Sequence, residues 1–394
     1  MSVAEQLKPE RLSDRISIGV LTQTFPPELI DRIVVEAGRT QQRSRLLPAR
    51  VVVYFCIAMC LFATESYNEV MSLLVKGLRW TKQWSPSWRL PTDGAITRAR
   101  QRLGPEPLRL LFEVIAQPLA RSADVESFYR KWRLVAIDGT TLDLADTSEN
   151  EATFGRPASK GDDKAAFPQA RVLGLIECGT HAVIDAHVGG CKDAEVTLAP
   201  LLFRSITQSS LLLCDRGFWS FDLWTQAHET GADLLWRTRK DIALPVLKVL
   251  EDGSFLSEIF SRKDYKKARP VAVRVIEYCL DGLSDEAYRL VTTILDPARA
   301  PADELALLYA ERWEIESVFD ELKTHQRGRQ AVLRSKYPET VEQEIWGHLL
   351  VHYAVRSLML DATTEADVDA DRASYLNALR IVRRQVTDPA VFSP

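Results

Sequence analysis

The chain has no CxxC pair and no HExxH, and its six histidines among 394 residues include none grouped with a serine and an aspartate. These absences leave little room for a zinc-peptidase centre or a hydrolytic triad. Long apolar runs are missing too. The longest, Val51 to Ala63, has 13 residues, where a bilayer span needs about 20, so it reads as a buried core helix and no membrane partner is expected. Nothing at the N-terminus reads as a signal peptide, and the cysteines, Cys56, Cys60, Cys178, Cys191, Cys214 and Cys279, read as buried thiols in a reducing compartment. A large positive charge is also absent: the net charge of −4 argues against a highly basic nucleic-acid binder. No internal repeat is found.

What is present is ordinary in bulk and uneven in detail. At 46% apolar and 26% charged residues the composition is that of a soluble globular protein, and the length predicts two or three domains. Residues 1–110 carry 16 Lys/Arg and 10 Asp/Glu, a net of +6, against −10 for the rest. A basic front on an acidic body suits a DNA-contacting module joined to a carboxylate-bearing core.

Residues 1–125 read as helical and DNA-binding. Helices are predicted around Pro27–Gly38, from Pro48 through the apolar run, and from Ser66 or Asn68 to Gly77. A basic cluster, Arg39, Arg43 and Arg45, and a loop with Trp80, Trp84 and Trp88 lie between or after them. In LPTDGAITRARQRLG, Asp93 can cap a short helix bearing Arg98, Arg100 and Arg102 that stops at Gly104. It looks like the second helix of a helix-turn-helix, which would lie in a major groove.

From Trp132 the pattern changes to strands. Arg133–Asp138, Arg171–Glu177 and His181–His187 are followed by a helix from Ala194 to Ser205, the strand Leu211–Cys214, a helix from Phe221 to Thr230 and a strand, Asp233–Arg237. Three strands, helix, strand, helix, strand make a mixed α/β sheet, and this order is similar to a ribonuclease-H-like core. We assign that core to 126–242, an all-β insertion to 243–300, the return of the core to 301–340, and C-terminal helices to 341–394.

Leu305 to Lys323 has strong helix formers and neither Gly nor Pro, and predicts one long helix. At about 100° per residue, Tyr309, Arg312, Glu316 and Lys323 fall within roughly 60° of one another, while Glu311, Glu314 and Glu321 point away toward solvent. Asp138 and Asp215 each end an apolar strand, which is where open α/β sheets bind ligands. Two such acids side by side repel unless a cation lies between them. With Glu316 as a third they would form a cage for Mg²⁺, with Mn²⁺ as a substitute, and two ions per site would suit in-line phosphoryl transfer. Asp143 and Asp146 rank below Asp138, the first because its odd spacing turns it to the other face, and Asp320 lies near Glu316. His348, His352 and Glu344 share a helix face without completing a zinc site.

Tyr309, Arg312, Glu316 and Lys323, spaced Tyr-x2-Arg-x3-Glu-x6-Lys, together with Asp138 in AIDGT and Asp215 in CDRGF, resemble the signature of the DDE transposases of the insertion-sequence-four family. The resemblance implies an Mg²⁺-dependent transposase that cleaves element ends and transfers strands into target DNA, by cut-and-paste through a hairpin. It further implies a synaptic homodimer on double-stranded DNA, and hence a cytoplasmic protein of the bacterial nucleoid. Arg312 and Lys323 would bind phosphates, and Tyr309 a phosphate or a carboxylate. Trp219, Trp236 and Tyr278 are candidates for stacking on a base turned out of the helix, and Arg216, Arg237, Arg239, Lys263, Lys266 and Lys267 for lining a DNA channel. The alternatives are a structure-specific nuclease of the same fold and a non-catalytic repressor derived from such an element.

Overall fold

A computed structural model of the chain describes residues 23–40, 47–76, 90–121, 127–158, 165–261, 268–279, 288–312, 314–328, 332–368 and 373–385. Arg43, Arg45, Trp80, Trp84, Trp88, Lys263, Lys266 and Lys267 lie outside them.

Five helices come first: α1 (Pro27–Glu36), α2 (Ala49–Leu61), α3 (Tyr67–Lys76), α4 (Asp93–Leu103) and α5 (Glu106–Ile115). Every residue of α2 except Arg50 is buried, as its unbroken apolar sequence requires. Ser66 caps α3, its Oγ accepting from Glu69 N at 3.2 Å. At α4 the cap is Thr92, whose Oγ1 accepts from Ala95 N at 3.3 Å, and the expected Asp93 is instead the first helical residue, where its charge favours the dipole.

The strands follow: β1 (Phe128–Tyr129), β2 (Trp132–Leu144), then helix α6 (Ser148–Phe154), β3 (Gln169–Glu177) and β4 (Ala182–Gly190). The expected helix after β4 is one turn, α7 (Glu195–Leu198), continued as a 3₁₀ stretch, Ala199–Ser205, that contains Pro200. After it come β5 (Ser210–Cys214), α8 (Phe221–Glu229), β6 (Asp233–Arg237), β7 (Lys248–Val249), β8 (Phe255–Ile259), β9 (Val271–Tyr278) and β10 (Tyr288–Thr292). All belong to one mixed sheet of order β4-β3-β2-β5-β6-β10-β9-β8-β7, with β1 and β11 (Val332–Leu333) as additional partners of β2. Strands β2, β3 and β4 are antiparallel; β5 pairs parallel to β2, and β6 parallel to β5.

The segment after β6 is all-β among the described residues. Strand β10 pairs antiparallel with β6, Leu290 opposite Arg237, so the four strands extend the core sheet. One expectation changes here: β2 does not end at Asp138 but continues six residues further, because β3 pairs with it as far as Asp143.

The expected single helix over 305–323 is three pieces: α9 (Ala302–Glu311), α10 (Glu314–Asp320) and a π-helical turn, Glu321–Gln326. Helix α11 (Pro338–Ala366) then runs 29 residues, packing on α2, α5 and β4, and α12 (Tyr375–Gln385) follows it. Gly347 lets α11 approach α2, since a Cβ there would lie 2.7 Å from Cys60 Sγ and 3.1 Å from the Cys56 carbonyl. Cys56, Cys60, Cys178 and Cys214 are buried thiols as expected, but Cys191 is half-buried and Cys279 exposed. No helix among the described residues is long and apolar enough to cross a membrane.

Candidate active site

Two parallel strands set the centre. Ile137 of β2 is in register with Cys214 of β5, so the next residues, Asp138 and Asp215, stand level on adjacent strands. Neighbouring strands are about 4.8 Å apart, and registered residues point to the same side. On its other edge Asp138 is opposite Gly174 of β3. A Cβ on Gly174 would lie 3.4 Å from the Phe319 ring, so Asp138 faces the side of the sheet that α10 covers. Both aspartates are half-buried.

The elements above them supply charge and anchorage. Tyr309 is buried, and its hydroxyl donates to the Cys214 carbonyl at 3.2 Å, pinning the end of β5 just before Asp215. Burial pushes the Tyr309 phenol well above its usual value, so it acts as a donor and stays neutral. Of the two roles left open for it, phosphate binding does not fit a hydroxyl committed to the backbone. Arg312 is 4% exposed, with its guanidinium 5.6 Å from the Tyr309 ring centre. Burial works against its charge, but Tyr309, Asp215 and Asp138 outweigh burial and hold its pKa above the usual value. Arg312 thus balances the two carboxylates from inside the fold and does not stand on the surface as a phosphate binder.

Arg237 closes the other side, its Nη1 3.9 Å from Asp215 Oδ1 and its guanidinium 4.3 Å from the Tyr288 ring centre. Tyr288 stacks on half-buried Tyr278 at 5.5 Å, whose phenol is pushed up to about 12 by burial. Lys323 is exposed on the π turn. Desolvation and Arg327 hold its amine below the usual lysine range, opposed by Asp143 and Asp138. Arg216 is exposed beside Asp215.

Asp215 Oδ1 is shielded from solvent and has no hydrogen-bond partner. Two level carboxylates, one with an unsatisfied buried oxygen, are the hard-oxygen donor set a divalent cation takes. Glu316 lies on α10 one turn before Phe319, and its side chain is outside the described residues; among those described, no group of three acidic or metal-ligating side chains forms. The lesser candidates have other partners: Asp143 Oδ1 accepts from Gln169 Nε2 at 2.8 Å, Asp146 pairs with Arg156, and Asp320 accepts from Thr324 Oγ1 at 2.6 Å.

Several expected DNA contacts lie elsewhere. Arg100 is 1% exposed and reaches Gln343, Ser335, Tyr67 and the Thr340 carbonyl inside the fold, so it is not a groove contact. It lies about 200° round α4 from Arg98 and Arg102, which are both exposed. Trp236 is fully buried against Trp224 and is a core residue; Trp219 is half-buried. Glu321, expected in solvent, is 8% exposed and faces α11. Glu344 accepts from the Arg334 and Ser335 backbone, and His348 meets Gln326, so both serve internal contacts.

Comparison with known proteins defines the class. Residues 130–353 match the family described as the transposase DDE domain, and residues 15–113 match the insertion element 4 transposase N-terminal family. The chain is 32% identical over 342 residues to the transposase InsG for insertion sequence element IS4 of Escherichia coli K12, covering 85% of this chain and 75% of that one. It is 24% identical over 274 residues to the putative transposase InsZ of the same organism, covering 66% and 89%. A solved piggyBac transposase synaptic complex with hairpin DNA is similar at a TM-score of 0.48 and 10% identity, over 94% of this chain and 80% of that one, too distant for chemistry to follow. The two domain matches define a transposase, an enzyme of the DDE class acting on DNA. Within that class the chain belongs to the insertion-sequence-four family.

Proposed function

We propose that the chain cuts DNA at the ends of its own insertion sequence and joins the freed 3′-ends to target DNA, with Asp138, Asp215 and Glu316 as its acidic triad. The observation that carries this is the parallel register, which sets Asp138 and Asp215 level on one face, with the charge of buried Arg312 coupled to both. The order β4-β3-β2-β5-β6, with β5 and β6 parallel to β2, supports a ribonuclease-H-like core, here extended by β10 to β7.

Mg²⁺, or Mn²⁺ in its place, with two ions per site, would be held by the three carboxylates and would supply charge stabilisation for phosphoryl transfer. The remaining work belongs to the chain. Tyr309 fixes the strand end that carries Asp215. Buried Arg312 and nearby Arg237 bring positive charge to the acidic pair, which offsets the repulsion between its two members. Lys323 and Arg216, exposed beside the acids, are the phosphate contacts. Arg98 and Arg102 form the outward basic stripe of α4, on the expected helix-turn-helix, for end-DNA phosphates. Half-buried Trp219 and Tyr278 are the aromatic candidates for stacking on a base. A synaptic homodimer, a hairpin intermediate and a place in the bacterial nucleoid complete this reading.

The test is incubation of labelled DNA carrying the element ends with Mg²⁺. Wild type is expected to nick and join the ends, and Asp138→Asn to lose about 10²-fold or more in cleavage while still binding the ends. Cutting by Asp138→Asn at the wild-type rate sinks the reading. Cutting without joined product by wild type would make the chain a nuclease.

A further inference from the structure

The π turn that carries Lys323 is tied down at both ends by buried polar groups. At its start, Glu321 Oε2 accepts from His352 Nε2 at 2.9 Å and from Arg356 Nε at 3.2 Å, and Oε1 accepts from Arg356 Nη2. Arg356 Nη2 in turn lies 3.0 Å from His181 Nδ1, at the turn between β3 and β4. At its end, Gln326 Nε2 donates to the His348 carbonyl at 3.0 Å, while Tyr375 OH donates to Gln326 Oε1 at 3.0 Å. Arg383 Nη2 donates to the Gln326 carbonyl at 2.8 Å. His348, His352 and Arg356 recur every four residues, so one face of α11 holds the turn at both ends, and Tyr375 and Arg383 of α12 add to the hold at Gln326.

A buried carboxylate is costly unless paired, and here the pairing fixes direction. Glu321 and Lys323 are two residues apart, on opposite sides of the helix. With Glu321 held against α11, Lys323 is left exposed on the other side of a turn that continues α10, the helix covering the face of the sheet that carries Asp138. The π turn marks where helical repeat yields to that constraint, and such turns concentrate at functional sites.

We infer that Glu321 is a positioning residue: clamped by His352 and Arg356, it aims Lys323 at the DNA phosphate beside the acidic pair. This rests on the phosphoryl-transfer reading above, through Lys323 as a phosphate contact. The ligand-facing residue is Lys323, and Glu321 acts only through it.

The experiment is a double-variant cycle on the full chain with labelled element-end DNA, reading metal-free binding against salt and single-turnover cleavage with Mg²⁺. Lys323→Ala removes about one phosphate contact, so the slope of log affinity against log salt falls by about 0.9. Glu321→Gln is expected to lower the slope by the same amount and cleavage by about 10-fold or more. The variant carrying both changes is expected to be no worse than Lys323→Ala alone. A purely structural Glu321 would lower the folded fraction and leave the slope unchanged. If Glu321→Gln does not fold, Glu321→Gln with Arg356→Met, which leaves neither of these two charges buried, is measured in its place with the same expectation. An unchanged slope in a folded, cutting variant overturns the inference, as does additivity with Lys323→Ala or a Lys323→Ala slope equal to wild type. If wild type itself neither prefers element ends nor cuts them, the functional reading has failed instead.

Discussion

The N-terminal helices and the strand extension are both attachments to one catalytic sheet, and they are fastened by different chemistry. The helices are held through α11 by side chains. Arg100 donates to Gln343 Oε1 at 3.1 Å, Ser335 Oγ at 3.0 Å and the Thr340 carbonyl at 2.7 Å, while Gln343 Nε2 returns to the Arg100 and Gly104 carbonyls, both at 2.7 Å. The extension is held by backbone: β10 is laddered onto β6, and β9 onto β10. Side chains only reinforce it, with Arg274 reaching Asp252, Ser254 and the Ala300 carbonyl, and Asp252 accepting from Ala302 N at the start of α9. A side-chain fastening can be undone at one residue, whereas a ladder cannot.

Arg100→Met is the sharpest way to break the contrast. It leaves several buried acceptors without donors, so a loss of about 3–5 kcal/mol is expected in urea unfolding. Amides of α2, α4 and α11 should lose exchange protection before those of β9 and β10. Wild-type protection in α11 after this change would show that the helices are held by something else.

Acid should separate the same regions. His181, buried beside Arg356, has its pKa lowered to about 4, and His348 and His352 are also held below the usual range by burial. The fold keeps His181 neutral while the unfolded chain protonates it, so stability falls as pH drops below about 6.5 and this loss levels off near 4. For His181 alone the loss is about 3 kcal/mol. Asp252 behaves oppositely. Burial opposes its ionisation, but Ser254, Arg274 and Ala302 outweigh burial and lower its pKa, so its stabilisation persists until pH falls below the usual aspartate range. Exchange measured at pH 7 and 5, corrected for intrinsic rate, should loosen α11 first. A His181→Leu variant whose stability falls as steeply with acid as wild type would remove His181 from this account.

Arg274→Met should do least, about 1–2 kcal/mol, because Asp252 keeps its Ser254 and Ala302 bonds and the ladders remain. A loss as large as that of Arg100→Met would erase the distinction between the two fastenings.

Much of this was legible in one sequence, and the failures share a cause. RLVAID and LLLC announce buried strands by composition, and the spacing from Tyr309 to Lys323 announces the family. The end of β2 is not legible locally, because β3, distant in sequence, decides how far it runs. Arg100 and Arg102 look alike in RARQR, and only packing against α11 buries the first. The helix over 305–323 contains neither proline nor glycine, so nothing local foretells its break or the π turn, and only packing on α11 decides that Glu321 is buried while Lys323 stays exposed.

The sequence by itself determined which residues can do chemistry and roughly which elements bear them, because residue type and short-range periodicity are local properties. Tertiary structure alone decided that Asp138 and Asp215 stand level, that Arg312 is buried with its charge acting on them while Arg100 is buried against α11, and that Glu321 is buried. Those outcomes depend on register and packing between segments far apart in the chain, which no local pattern encodes.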